Sequence, residues 1–139
     1  MRAKTLRVLV VTASLAAVAG CVPATVAPPS PGALRDARAA CNEQYPARVG
    51  NYVAHTMCVN AAIERYALPT TAYPDLVRIQ QQIRVALSAK VDQRQLSPQA
   101  GEGRMKEADA LISQIEHDRQ TGNEAAANRR LLRLNAMVN

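Results

Sequence analysis

The sequence predicts an all-α fold, a small helical bundle or an array of helical hairpins, and three observations predict it. Beyond residue 33, apolar residues recur at i, i+3, i+4 and i+7, the spacing that gathers side chains on one face of a helix. No stretch sustains the period-2 alternation of a half-buried strand, and valine and isoleucine fall inside helical patterns. Proline, serine and glycine stand where helices would start and stop.

Residues 1–20 read as an export segment. Met1 to Arg7 carries Arg2, Lys4 and Arg7 with no acid, and an apolar run from Val8 to Ala19 follows at once. That run is long enough to enter an export machinery as a short helix but well below the roughly 20 residues needed to span a bilayer. It ends in Val18-Ala19-Gly20-Cys21. An aliphatic residue and two small ones before a cysteine resemble the lipobox of bacterial lipoproteins, although leucine is commoner than valine at the Val18 position. The resemblance implies cleavage between Gly20 and Cys21 and transfer of a diacylglyceryl group to the Cys21 sulfur, whose thiolate is the nucleophile. It also implies acylation of the new amino group by a chain such as palmitate. Two or three chains anchor a protein stably where one does not. Val22 stands where an aspartate would retain a lipoprotein in the inner membrane; in a Gram-negative host this implies the outer membrane, facing the periplasm.

From Val22 to Gly32 the chain reads V-P-A-T-V-A-P-P-S-P-G, with four of the eight prolines and no apolar periodicity. Polyproline-like geometry at about 3.1 Å per residue makes this a spacer of some 30 Å. The expected organisation is a signal peptide over 1–20, lipidated Cys21 with a linker to residue 33, and a helical domain over 34–139.

Ala33 to Gln44 is rich in Ala and Arg and stops before Pro46, giving a first short helix that carries Cys41. A second helix is expected from about Pro46 to Tyr66, with Val49, Tyr52, Val53, Thr56, Met57, Val59, Ile63 and Tyr66 on one face and Cys58 beside it. Pro69 and Pro74 mark a loop. Pro74 in the first turn and Asp75 behind it start a third helix, whose stripe is Leu76, Ile79, Ile83, Ala86, Leu87, Lys90 and Val91. Its flanks take Val77, Arg78, Gln80 to Gln82, Arg84 and Ser88. Ser97-Pro98 is a good cap and first turn for a fourth helix, antiparallel to the third across the turn at Asp92 to Ser97. Met105, Ala108, Leu111, Ile112 and Ile115 form its face, while Arg104, Lys106, Glu107, Asp109, Glu116 and Asp118 point elsewhere. Gly101 and Gly103 weaken its first turns. Glu124 to Met137 either continues this helix past Gly122 and Asn123 or forms a frayed fifth one, with Leu131, Leu132 and Leu134 available for contacts.

The formal charge of +6 invites a nucleic-acid reading. Three of the 17 bases lie in the first seven residues, however, which leaves 14 against 11 acids once the signal is removed. Those charges are interspersed, Phe and Trp are absent, and the four tyrosines fall between Tyr45 and Tyr73, so no basic, stacking surface is expected and nucleic acid is not an expected partner. With Cys21 committed to lipid, Cys41 and Cys58 remain as an even pair. An oxidising periplasm favours a disulfide, worth roughly 3 kcal/mol to a small domain in the chain-entropy model. A metal site from Cys41, Cys58 and His55 is the rival, and it lacks a fourth ligand at a recognisable spacing.

No catalytic, cofactor or metal constellation stands out. Val91 to Ser97 has the hydrophobic-then-serine step of an EF-hand loop's end, but Asp92 is its only acid and the glutamate position is Ala100. His55 and His117 have no i+3 or i+4 partner for a metal pair. Glu116-His117-Asp118 reads as a solvated face, since adjacent helical residues fan out. Asn128 to Leu134 is a basic amphipathic run, read first as a last helix with leucines inward and arginines at its negative end.

The alanine-rich helical character resembles that of small proteobacterial envelope lipoproteins, which implies a membrane anchored through Cys21 and nothing catalytic. The expected function is a non-enzymatic binding or structural module whose partner is an envelope protein or peptidoglycan. A small periplasmic enzyme, a chaperone-like accessory, and a membrane-surface module using the C-terminal run are the alternatives.

Overall fold

The computed structural model describes residues 32–138, so Gly20, Cys21 and residues 22–31 of the proline-rich linker lie outside the described residues, while Ala33, expected to close that linker, already begins a helix. Among the described residues there are five α-helices, one 3-10 turn and no strand, a small all-α bundle. The helices are α1 (Ala33–Gln44), α2 (Tyr52–Tyr66), α3 (Pro74–Asp92), α4 (Pro98–Gln120) and α5 (Glu124–Asn135), and the 3-10 turn covers Leu68–Thr70.

Local chemistry sets most of the boundaries. Pro74 occupies the first turn of α3 with Asp75 beside it, where a missing amide costs nothing and a negative charge meets the positive helix end. The Ser97 side chain accepts from the Ala100 amide at 3.2 Å, and Pro98 follows. Gly122, at φ 73, ends α4 in a left-handed turn, and the Asn123 side chain then caps α5 through the Ala126 amide. Glu124–Asn135 is thus a separate helix. It is also docked rather than frayed, because Leu134 is fully buried.

Packing is sequential: α1 lies on α2, α2 on α3, α3 on α4 and α4 on α5. Two apolar clusters result. The larger joins Leu76, Ile83 and Leu87 of α3 to Ala108, Leu111 and Ile115 of α4 and to Ala127 and Leu134 of α5. Each large side chain taken fully out of water there contributes roughly 1.5–3 kcal/mol. The smaller cluster holds Cys41, Val59 and Ile63, with Leu34, Ala67 and Val77 packed against it. Here Cys41 is disulfide-bonded to Cys58, with 5.8 Å between Cα atoms, which ties α1 to α2 as a hairpin.

Between the hairpin and the three-helix core runs a polar seam. Thr56 and Ser88 are buried and share a hydroxyl contact at 2.7 Å. One turn on, the Asn60 side chain donates to the Gln81 carbonyl at 3.4 Å and the Gln81 side chain donates to the Asn60 carbonyl at 3.3 Å. Buried Gln81 and Ser88 correct their expected placement on the flanks of α3. The third helix is sandwiched, so it buries an apolar stripe towards α4 and α5 and a polar one towards α2.

Three more expectations change. The second helix begins at Tyr52 rather than near Pro46, because residues 46–51 turn through Gly50 at φ 96 and the Asn51 side chain donates back to the Pro46 carbonyl. Val49 and Met57 are exposed, since α1 and α3 approach α2 from sides that bury Thr56, Val59, Ala62 and Ile63 instead. Asp118 is buried and faces α5, where its Oδ2 accepts from Arg130 Nε at 2.8 Å. Gly101 is also buried. A Cβ there would stand 3.2 Å from Val91 Cγ2, so the glycine that weakens the helix locally also spares α3 a tight contact with α4.

Candidate functional site

Because α2 and α4 both rest on α3 and hardly touch one another, a groove opens between them. Its floor is one face of α3: Arg84, Leu87, Ser88 and Val91, at the i, i+3, i+4 and i+7 positions of a helix. Tyr52, His55 and Thr56 form the α2 wall, and Pro98, Gly101, Glu102 and Met105 form the α4 wall. The open groove has a volume of about 210 Å³. A second concavity of about 200 Å³ adjoins it beyond Tyr52 and His55, bounded by Asn42, Tyr45, Pro46 and Asn51.

The groove's electrostatics centre on Arg84. Its Nη1 donates to Asn60 Oδ1 at 3.0 Å, and among the described residues no carboxylate pairs with it. Burial pulls its pKa below the usual arginine value, the charge of Asp109 opposes this and that of Arg38 adds to it. A guanidinium nevertheless remains charged in a protein, so the groove holds a partly desolvated cation. Glu102 supplies one negative charge on the opposite wall.

His55 is held from the side of α1, its Nε2 lying 2.7 Å from Asn42 Oδ1. No histidine ring is hydrogen-bonded to a serine or cysteine among the described residues, and the Ser88 hydroxyl is engaged by Thr56. No family model matches this chain. No curated protein and no solved structure proved similar to it either.

The remaining candidates fall outside the groove. Cys41 and Cys58 are bonded to each other, so neither thiol is available as a metal ligand beside His55. Among the described residues no three His, Cys, Asp or Glu side chains gather where they could hold a metal ion. Asp92 spends its carboxylate on backbone: Oδ1 accepts from the Gly50 and Tyr52 amides at 2.6 and 3.2 Å, and Oδ2 from Val53 at 2.9 Å. The Tyr52 and Val53 amides are orphan donors in the first turn of α2 and Gly50 lies in the turn before it, so the acid is a cap supplied from another helix.

His117 is exposed on α4, remote in the chain from the groove, while its neighbour Asp118 is committed to Arg130. In the C-terminal run, Leu134 is buried and Leu131 half-buried, whereas Leu132 is 73% exposed. Arg133 donates to Glu107 at 2.6 Å. Arg84 was not legible as a site residue: it reads as a flank of α3, and only the meeting of three helices encloses it.

Proposed function

We propose that this protein is a lipid-anchored module of the bacterial cell envelope whose helical domain binds another envelope component, a protein or peptidoglycan, without catalysing a reaction. The observation that carries this reading is the sequence Val18-Ala19-Gly20-Cys21 after a basic start and a short apolar run. A disulfide between the two other cysteines suits an oxidising compartment. The groove supports a binding role, since its lining joins apolar side chains to a cation that no carboxylate pairs with among the described residues.

Metabolic labelling with a fatty acid analogue tests the anchor. The natural chain should take up label and lose its first twenty residues, and Cys21→Ser should do neither. Normal labelling and processing of that variant would overturn the reading.

Exposed Leu132 between arginines favours a second reading, in which α5 lies on an anionic membrane surface. The pairing of Arg130 with Asp118 and of Arg133 with Glu107 already engages two of its charges with α4.

A further inference from the structure

We propose that the groove between α2 and α4 receives the free carboxyl terminus of a partner protein ending in a large apolar residue, with Arg84 as the anchor for the carboxylate. The inference rests on the reading of the domain as a binding module and names its site and ligand class.

Two independent features of the groove ask for an acceptor. Arg84 is a partly buried cation whose only hydrogen-bond partner among the described residues is the neutral Asn60 amide oxygen. Taking a guanidinium out of water is costly unless an anion repays it. One turn further along α3, the Thr56 and Ser88 hydroxyls bring two protons to a contact that uses one, and the second meets no acceptor among the described residues. An ionised carboxylate is acceptor-only with two oxygens, and so complements a groove that presents donors.

The rest of the lining restricts what carries that carboxylate. Leu87 and Val91 of the floor and Met105 of the α4 wall make an apolar seat beside Arg84 and Ser88, which suits a large apolar side chain. At about 210 Å³ the groove is smaller than the roughly 300–1,000 Å³ of sites that enclose a whole small molecule, which suits the last residue of a longer chain. Glu102 opposes a second negative charge, so one carboxylate complements the groove and a phosphate dianion does not.

The test uses the full mature lipoprotein in detergent micelles and a fluorescein-labelled peptide, Ala-Ala-Ala-Leu, with a free carboxyl terminus. Anisotropy should report binding, and the carboxamide form of the peptide should bind at least about tenfold more weakly, as expected for loss of a charged hydrogen-bond acceptor. Arg84→Gln, which can still donate to Asn60, should abolish the preference for the acid. Ser88→Ala should weaken the acid several-fold, and Arg129→Gln, away from the groove, should change nothing. Equal binding of acid and amide, equal binding of a peptide ending in D-Ala-D-Ala, or no binding by any probe would overturn the proposal. Fatty-acid labelling of Cys21, scored on the same preparation, separates failure of this site from failure of the anchor.

Discussion

The carboxylate of Asp92, the last residue of α3, accepts the amide of Val53 in the first turn of α2 at 2.9 Å. With the Gly50 and Tyr52 amides on its other oxygen, one side chain satisfies two donors that α2 cannot satisfy itself and a third in the turn before it. Replacing Asp92 by alanine should therefore cost about 0.5–2 kcal/mol, the range for a lost N-cap, and chemical denaturation would measure it.

The same bond makes stability sensitive to acid. Burial works against the charged form of Asp92, but the three amides outweigh it and hold its pKa below the ordinary carboxylate value. A group whose pKa is lower folded than unfolded stabilises the fold above the unfolded value, about 3.9, and that contribution disappears as pH falls through the folded value. Asp75 adds in the same direction, chiefly through its hydrogen bond with Arg119, against burial. Denaturation midpoints should stay level from neutral pH to about 5 and then fall; Asp92→Asn should flatten part of that fall.

Reducing the disulfide should cost about 3 kcal/mol. Because packing is sequential, the loss should concentrate in α1 and α2, leaving α3 to α5 folded at moderate denaturant. Hydrogen exchange would show faster amides at Val59 and Ile63 with Ile83 and Ile115 still protected.

Arg94 sits at φ 59 just after α3, a left-handed position that costs a non-glycine residue about 1 kcal/mol. Arg94→Gly should raise the unfolding free energy by about that amount, read from thermal or urea transitions. An unchanged midpoint would mean that the arginine side chain compensates.

Gly101→Val should act in the opposite sense. The new side chain would meet Val91 Cγ2 and Leu96 Cδ2, and overpacking of this kind costs about 1–3 kcal/mol. The variant should also perturb binding in the groove, which Gly101 lines.

Helix edges were readable wherever local chemistry decided them: Pro46 after α1, Pro74 at the head of α3, and Ser97-Pro98 at the head of α4. What escaped was whatever one helix supplies to another. The start of α2 depends on a carboxylate 39 positions away from Val53, and no propensity encodes that. Gln81 and Ser88 look solvated in a single-stripe reading because a period of 3.6 reports one buried face, and α3 has two. Asp118 is hidden in the same way, as a charged residue whose partner, Arg130, lies across a turn in the next helix. The groove is legible only once α2 and α4 are both placed on α3, since no single segment carries its pattern.

The bond between Cys41 and Cys58 also governs how the domain answers a pull on its amino-terminal side. Tension entering at Ala33 can unwind α1 only as far as Cys41, after which the load passes through the sulfur bridge into the middle of α2 and bypasses residues 42–57. Those bypassed residues include Tyr52, His55 and Thr56, the α2 wall of the groove. A strained attachment would thus be resisted by the Asn60 and Ile63 side of α2, while that wall stays slack.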